Sequence, residues 1–158
     1  MSIERAATIS VCGKYRYQLT RRWGGGEILP FVMLNPSTAD ADVDDPTIRR
    51  GMGFARREGA DGIIVLNVYA LRATDPKELA KSPDPFGPEN DAALSQLARC
   101  ASRSRIVCAW GAHGGGSNRH IALLMSSGAS LVCLGMTKNG HPRHPLYVKN
   151  DQPLVPFR

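Results

Sequence analysis

Four short polar segments hold the side chains of this sequence that could do chemistry. Their amides, hydroxyls and imidazoles donate and accept directional hydrogen bonds, so together they could hold a polar ligand and orient a water molecule. The segments contain, in chain order, Asn35-Pro36-Ser37-Thr38, then Asn67 with Tyr69, then Gly111, and finally His141, Arg143 and His144.

Asn67 is the most informative of these residues taken singly. It lies in an apolar stretch, IIVLNV, where a buried carboxamide is costly unless it is hydrogen-bonded. A carboxamide presents an acceptor beside two donors, and this arrangement matches the edge of a nucleobase. The sequence therefore favours base recognition by Asn67, and the alternative is a structural bond to nearby loop backbone.

Four apolar strands that alternate with helical segments must position these residues. The strands are predicted at 28–34, 62–68, 105–110 and 129–134, and the helices at 46–58, 76–81, 88–101 and 117–127. This alternation is typical of a three-layer α/β/α fold with a central four-stranded, mainly parallel sheet. Ligands bind at the carboxyl ends of such strands, and each polar segment follows one of them. A β-hairpin, with strands at 7–12 and 15–22, is predicted to precede the sheet.

Local signals fix the start and end of the first helix. Asp45 is a good N-cap residue, Pro46 suits the first helical position, and Gly59 suits the end. The last helix is predicted to be capped by Ser117 and to follow a Gly114–Gly116 turn.

The chain is basic, and its arginines are clustered. The net charge is +6, and the planar guanidinium fork matches two phosphate oxygens, so both features suit a phosphate-bearing partner. Arg49 is placed in the predicted substrate site for this reason. The other clusters contain Arg21 with Arg22, Arg50, Arg56 with Arg57, and Arg99 with Arg103 and Arg105.

The bulk composition indicates one soluble domain over residues 1–158, with a hairpin region at 1–27 and a C-terminal loop or tail at 137–158. No apolar run approaches the roughly 20 residues of a membrane span, and no secretion signal is evident, so a cytoplasmic location is expected. The four cysteines form no C-x-x-C pair and are interpreted as buried apolar side chains. No metal or cofactor is predicted, and the oligomeric state is left open.

Five motifs carry a resemblance to a known family. They are LNPSTAD, DDPTIRR, LNVYALRATDP, AWGAHG and TKNGHPRHPLY. Over about residues 7–148, the chain resembles domain-of-unknown-function family 1643 of bacteria and phages. More distantly, the order of the motifs is similar to that of the uracil-DNA glycosylase superfamily.

The distant resemblance implies roles for individual residues. In it, Asn35-Pro36 stands where the superfamily orients the attacking water, and Asn67 stands where an asparagine reads the base. Gly111 matches the end of the third strand. Either His141 or His144 matches the histidine that stabilises negative charge on the departing base.

The resulting hypothesis is an enzyme that hydrolyses an N-glycosidic bond in DNA or a nucleotide. Asn35 would orient water, His141 or His144 would act on the base, and the other predicted residues would bind substrate. Asn35 replaces a carboxylate, and this replacement favours the alternative, a non-catalytic module that binds nucleotide or nucleic acid in the same crevice. A third possibility is an enzyme acting on another phosphorylated small molecule.

Overall fold

A seven-stranded mixed sheet organises the part of the chain that the computed structural model describes, namely residues 2–101, 103–114 and 118–158. The strands are β1 (Glu4–Ile9), β2 (Arg16–Arg22), β3 (Ile28–Met33), β4 (Gly62–Asn67), β5 (Arg105–Ala109), β6 (Ser130–Cys133) and β7 (Val155–Pro156). The helices are α1 (Pro46–Arg57), α2 (Lys77–Lys81), α3 (Asn90–Cys100) and α4 (Asn118–Met125), and a short 3₁₀ helix spans Pro145–Tyr147. The prediction of an α/β fold is confirmed.

The sheet is larger than the predicted four strands because both of its ends are extended. The strand order is β1-β2-β4-β3-β5-β6-β7. β3 pairs in parallel with β4 and β5, and β5 pairs in parallel with β6. The hairpin of β1 and β2 adds to β4 in antiparallel fashion, and β7 adds to β6 in the same way. These additions cover edges that would otherwise expose unpaired backbone groups.

The connections around β3 create a crevice. The chain leaves β3 through α1 to reach β4 on one side, and from β4 it passes through α2 and α3 to β5 on the other side. The connection that follows β3 and the one that follows β5 thus run toward opposite sides of the sheet. Where the connections of two neighbouring strands diverge in this way, a gap opens between the loops at their carboxyl ends. The carboxyl ends of β3 and β5 are therefore the expected position of a site.

Alternate residues of the strands bury two separate cores, one on each face of the sheet. Phe31 and Ile63 pack with Ile48 of α1, whereas Val32 and Leu66 pack with α3 and α4. The helices thus cover both faces, as the continuous apolar strands predict.

The predicted boundaries of α1 are confirmed by its capping. The Asp45 carboxylate accepts a hydrogen bond from the Ile48 backbone N–H at 2.9 Å, and Pro46 occupies the first helical position. Gly59 follows the helix with a φ of +79°, a conformation that favours glycine. Ser117, the predicted cap of the last helix, lies outside the described residues.

The C-terminal segment is more ordered than the predicted loop or tail, because α1 holds it in place. Arg50 donates to the backbone carbonyls of Pro145 and Val148, and Arg57 donates to that of Asn150. These bonds hold the segment against α1 before the chain reaches β7. Such long-range bonds leave no periodic signal in the sequence.

The interpretation of the cysteines is correct for two of the four. Cys108 and Cys133 are buried in β5 and β6, whereas Cys12 and Cys100 are exposed, and all four are free thiols. Burial raises the pKa of the Cys108 thiol, so this group stays protonated and inert. Within the described residues, no helix has both the length and the apolar character needed to cross a membrane.

Candidate functional site

A cavity of about 730 Å³ opens at the carboxyl ends of β3 and β5, where the topology places a crevice. Its size is typical of a small-molecule site. We call it the main cavity. Its lining comes from five parts of the chain: residues 34–38 except Pro36, the start of α1 at 45–47, residues 73–76 except Asp75, residues 110–113, and six residues of the C-terminal segment 137–147.

Six of the predicted site residues line the main cavity and five do not. The lining residues are Asn35, Ser37, Thr38, Gly111, Arg143 and His144. Pro36, Arg49, Asn67, Tyr69 and His141 are not part of the lining. The site loop after β3 and the second His-Pro are thus brought together, whereas the first His-Pro is not.

The two histidines differ because the chain turns between them. Thr137 bonds to His141 twice, since its N–H donates to the His141 carbonyl and its Oγ1 accepts from the His141 N–H. This turn keeps His141 out of the main cavity and delivers His144 to its wall. Arg143 also reaches the cavity, and its Nε donates to the Met136 carbonyl at 3.2 Å.

Arg49 and Tyr69 have other surroundings. Arg49 is exposed, and its Nη1 donates to the backbone carbonyl of Asp44 at 2.9 Å, so it helps to hold the start of α1. Tyr69 lines a second cavity beside the first and packs against Phe86.

Asn67 is the last residue of β4 and is only 1% exposed. Strand alternation places its side chain on the same face as Ile63 and Val65, which pack toward α1. Its backbone carbonyl accepts a hydrogen bond from the side chain of Asn90, and its own Nδ2 has no partner among the described residues. Because Asn67 does not line the main cavity, its reading of a base stays a prediction.

The side chain of Asn35 is held in a defined orientation. Its Nδ2 donates to the carbonyl of Pro36 at 3.0 Å and to that of Ala73 at 2.7 Å. Since only the NH₂ end of the amide can face two carbonyl oxygens, the Oδ1 end is left to accept from a group in the cavity. Asn35 can therefore orient a water molecule, but it cannot remove a proton from it.

His144 presents a donor rather than a cation. Its Nδ1 accepts a hydrogen bond from the Leu146 N–H at 3.2 Å, and this bond places the proton of the neutral ring on Nε2. Burial lowers the pKa of His144, and the nearby Asp45 carboxylate only partly opposes that effect. At neutral pH the wall of the cavity therefore carries a neutral Nε2–H.

Gly111 lies against His144 and fixes the distance between two walls of the cavity. A Cβ at position 111 would lie 3.2 Å from the His144 Cβ, and the φ of +72° also favours glycine. The Gly111 N–H donates to the Pro142 carbonyl at 2.8 Å. This approach ties the end of β5 to the segment that carries His144.

Two arginines of β2 hold the loop between Asn35 and α1. Arg16 donates to the Ala39 carbonyl at 2.9 Å. Arg21, whose side chain is fully buried, bonds to the Asp44 carboxylate at 2.7 Å and to the Asp40 carbonyl at 2.5 Å. The interpretation of this arginine cluster as a phosphate contact is therefore wrong for Arg21, which is enclosed by protein.

The structure adds lining residues that are not among the predicted site residues. They include Asp45, Thr47, Thr74, Trp110, His113, Lys138 and Tyr147. Trp110 and His113 belong to the AWGAHG motif, and Lys138 belongs to TKNGHPRHPLY, so motif membership was the available signal.

Asp45 is the one carboxylate residue among the described lining residues, and each of its oxygens accepts a backbone hydrogen bond. One accepts from the Ile48 N–H at 2.9 Å and the other from the Ala39 N–H at 3.4 Å. It therefore serves as a helix cap rather than as a free general base. Nor do the described residues contain a cluster of three His, Cys, Asp or Glu side chains that could share a metal ion.

We expect Asn35→Asp to destabilise the protein at neutral pH by about 1–3 kcal/mol. A carboxylate would face the Pro36 and Ala73 carbonyl oxygens in place of the NH₂ that now donates to them. The penalty should shrink near pH 4, where the new carboxyl can be protonated and donate to one of them. Urea unfolding at both pH values measures the effect.

Asn139→Asp is the matched control for this substitution, because Asn139 is exposed and makes no side-chain hydrogen bond to a described residue. An Asn35→Asp protein as stable as the wild type at neutral pH would show that the amide orientation is wrong.

The fold and the cavity define an α/β protein whose main cavity lies at a topological switch point of the sheet, the usual position of a ligand site in such folds. The chain belongs to the family described as "Protein of unknown function (DUF1643)", whose model matches residues 16–146. This match confirms the resemblance to family 1643, and it spans the lining of the main cavity except Tyr147. Neither a curated protein nor a solved structure matches the chain.

Proposed function

We propose that this protein hydrolyses the N-glycosidic bond of a nucleobase-containing substrate, in DNA or a nucleotide, bound in the main cavity. One observation carries the proposal. A neutral imidazole donor, His144, and a fixed amide acceptor, Asn35, line the same cavity.

The chemistry of the reaction needs these two groups. When the bond between the sugar carbon and the base nitrogen breaks, negative charge develops on the base and positive charge on the sugar. The Nε2–H of His144 would donate to the base oxygen where that charge grows. Asn35 Oδ1 would hold a water whose oxygen bonds to the sugar carbon, while a proton of that water passes to the departing base.

The motif order supports the same reaction. Asn35-Pro36, Gly111 and His144-Pro145 follow one another as in the uracil-DNA glycosylase superfamily, and Asn35, Gly111 and His144 line one cavity. The proposal includes a fold similar to that superfamily, with β4, β3, β5 and β6 as its parallel strands.

The side chains that line the main cavity also limit the expected rate of hydrolysis. General acid–base catalysis contributes about 100- to 10,000-fold, but the Asn35 amide is not a base and the Asp45 carboxylate is held by two backbone N–H groups. Hydrolysis would therefore be slow and would depend on the sugar cation forming before water attacks.

The lining of the main cavity also favours a second candidate, a non-catalytic module that binds nucleotide or nucleic acid there. Lys138 and Arg143 provide positive charge in the lining, and the exposed ring of Tyr147 provides aromatic surface. These features serve binding whether or not a bond is broken.

A substrate panel separates the two candidates. We expect an excess of protein to release one class of base from oligonucleotides containing uracil or other modified bases, or from nucleotides. Free base is measured by mass spectrometry, and abasic sites by alkaline cleavage. Binding without release supports the binding module, whereas neither binding nor release from any substrate refutes both candidates.

A further inference from the structure

A second cavity of about 470 Å³ adjoins the main cavity. The two share Pro76 and His113 in their linings, so they lie side by side. We call the second one the side cavity. The rest of its described lining consists of Tyr69, Asp75, Lys77, Leu79, Ala80, Pro85 and Phe86.

The wall of the side cavity is mostly apolar and partly aromatic. The rings of Tyr69 and Phe86 lie 4.9 Å apart at an angle of 33°, and Leu79 is buried beside them. Aromatic side chains of this kind form the platforms on which nucleobases stack. The Phe86 ring also stacks with the His120 ring and lies 5.2 Å from the Arg119 guanidinium. Tyr69 and Phe86 thus belong to a fixed aromatic wall against which a flat, apolar ring can pack.

The polar groups of the side cavity lie along its edge. Lys77 and His113 are exposed, and His113 belongs to both cavities. The Asp75 Oδ1 accepts from the Lys77 backbone N–H at 2.9 Å, so this carboxylate caps the start of α2. A phosphodiester that crosses from one cavity to the other would pass beside His113 and within the field of Lys77.

The main cavity alone is already large enough for one small ligand. A free mononucleotide would leave the side cavity empty. We propose that the side cavity holds the nucleoside next to the one that is cleaved, so that the substrate is a nucleic-acid strand rather than a free nucleotide. This inference rests on the proposed function, because it assigns the main cavity to the cleaved nucleoside.

Calorimetric titration tests the inference with two sets of probes, the deoxynucleoside monophosphates including deoxyuridine monophosphate, and the matching homodinucleotides. At least one dinucleotide should bind about tenfold more tightly than its monophosphate, because its second base stacks in the side cavity. Ala80→Trp should remove this gain and leave monophosphate binding unchanged, since residue 80 is exposed on α2 and lines only the side cavity.

Glu78→Trp is the matched control, because Glu78 is exposed on the same helix and does not line either cavity. Ala80→Leu provides a smaller filler if the tryptophan variant does not fold, and it should reduce the gain.

Three results would overturn the inference. Equal affinity of the wild type for dinucleotides and monophosphates, or an undiminished gain in the filled variants, would refute it and leave the proposed function standing. Failure of every monophosphate and dinucleotide to bind would also refute the inference, whereas the proposed function is decided by the substrate panel.

Discussion

His144→Asn should slow base release by about 100- to 1,000-fold while the protein remains folded, since a single donor to developing charge is worth about that much. The asparagine Oδ1 can replace Nδ1 as the acceptor of the Leu146 N–H, because asparagine is a favoured capping residue. The variant therefore keeps the cap of the 3₁₀ helix and removes only the Nε2–H.

Single-turnover release of the base identified by the panel measures this effect, and thermal unfolding checks the fold. His144→Ala should show the same loss of release together with about 1 kcal/mol of lost stability, because the cap is also removed. His141→Asn is the control, since His141 does not line the main cavity, and its release rate should equal that of the wild type. A wild-type rate in His144→Asn would contradict the role of His144.

The pH dependence follows from the direction of the His144 pKa. Burial lowers this pKa below the ordinary imidazole value of about 6.5, so the ring stays neutral as the pH falls past that value. The midpoint of the decline in base release should therefore lie below pH 6.5, where Nδ1 takes a proton and its bond from Leu146 is lost. Nitrogen NMR shifts should show the proton on Nε2 at neutral pH.

The largest expected change in stability is that of Arg21→Met, which should lower the free energy of unfolding by about 3–5 kcal/mol. The methionine has a similar length but cannot pair with the Asp44 carboxylate, which lies 2.7 Å from Arg21 Nε. It would also leave the Asp40, Thr20 and Val43 carbonyls without this donor. Urea unfolding measures the difference.

Arg22→Met is the matched control for Arg21→Met, because Arg22 is only partly buried and donates to one carbonyl, that of Gly24. Its cost should be below about 1.5 kcal/mol, the net value of one ordinary hydrogen bond. Equal losses in the two variants would show that the buried ion pair has no special importance.

The cost of Arg21→Met should also depend on pH. Burial raises the pKa of Asp44, but hydrogen bonds from Arg21 and Arg5 outweigh burial and bring the pKa below 3.8. A depressed carboxyl pKa stabilises the folded state above the unfolded pKa, and that stabilisation is lost as the pH falls through the folded pKa. The difference between Arg21→Met and the wild type should therefore be largest near neutral pH and smaller in acid.

The order of strands and helices could be predicted from the sequence because their signals are local. Continuous apolar runs predict β3 and β4, and Asp45 with Pro46 predicts the start of α1. Parallel α/β sheets bind ligands at the carboxyl ends of their strands. The position of the cavity could therefore also be predicted, and Asn35 and Gly111 lie in its wall as expected.

The choice between His141 and His144 required the tertiary structure. The two histidines have the same neighbour, proline, and differ only in how the chain turns between them. That turn is set by the bonds of Thr137 to His141, and Arg50, about 95 residues before Pro145 in the chain, holds the segment that follows.

Tertiary structure also decided the role of Arg21 and the position of the Asn67 side chain. A basic residue in a sequence carries no mark of the partner that will enclose it, and Arg21 meets its partners only when the loop at 40–44 folds over β2. The sequence by itself determined the parallel strands, the four helices and the edge of the sheet where they meet, because hydrophobic periodicity and capping act between near neighbours. Tertiary structure decided which polar side chains face the cavity, because burial and pairing depend on residues far apart in the chain.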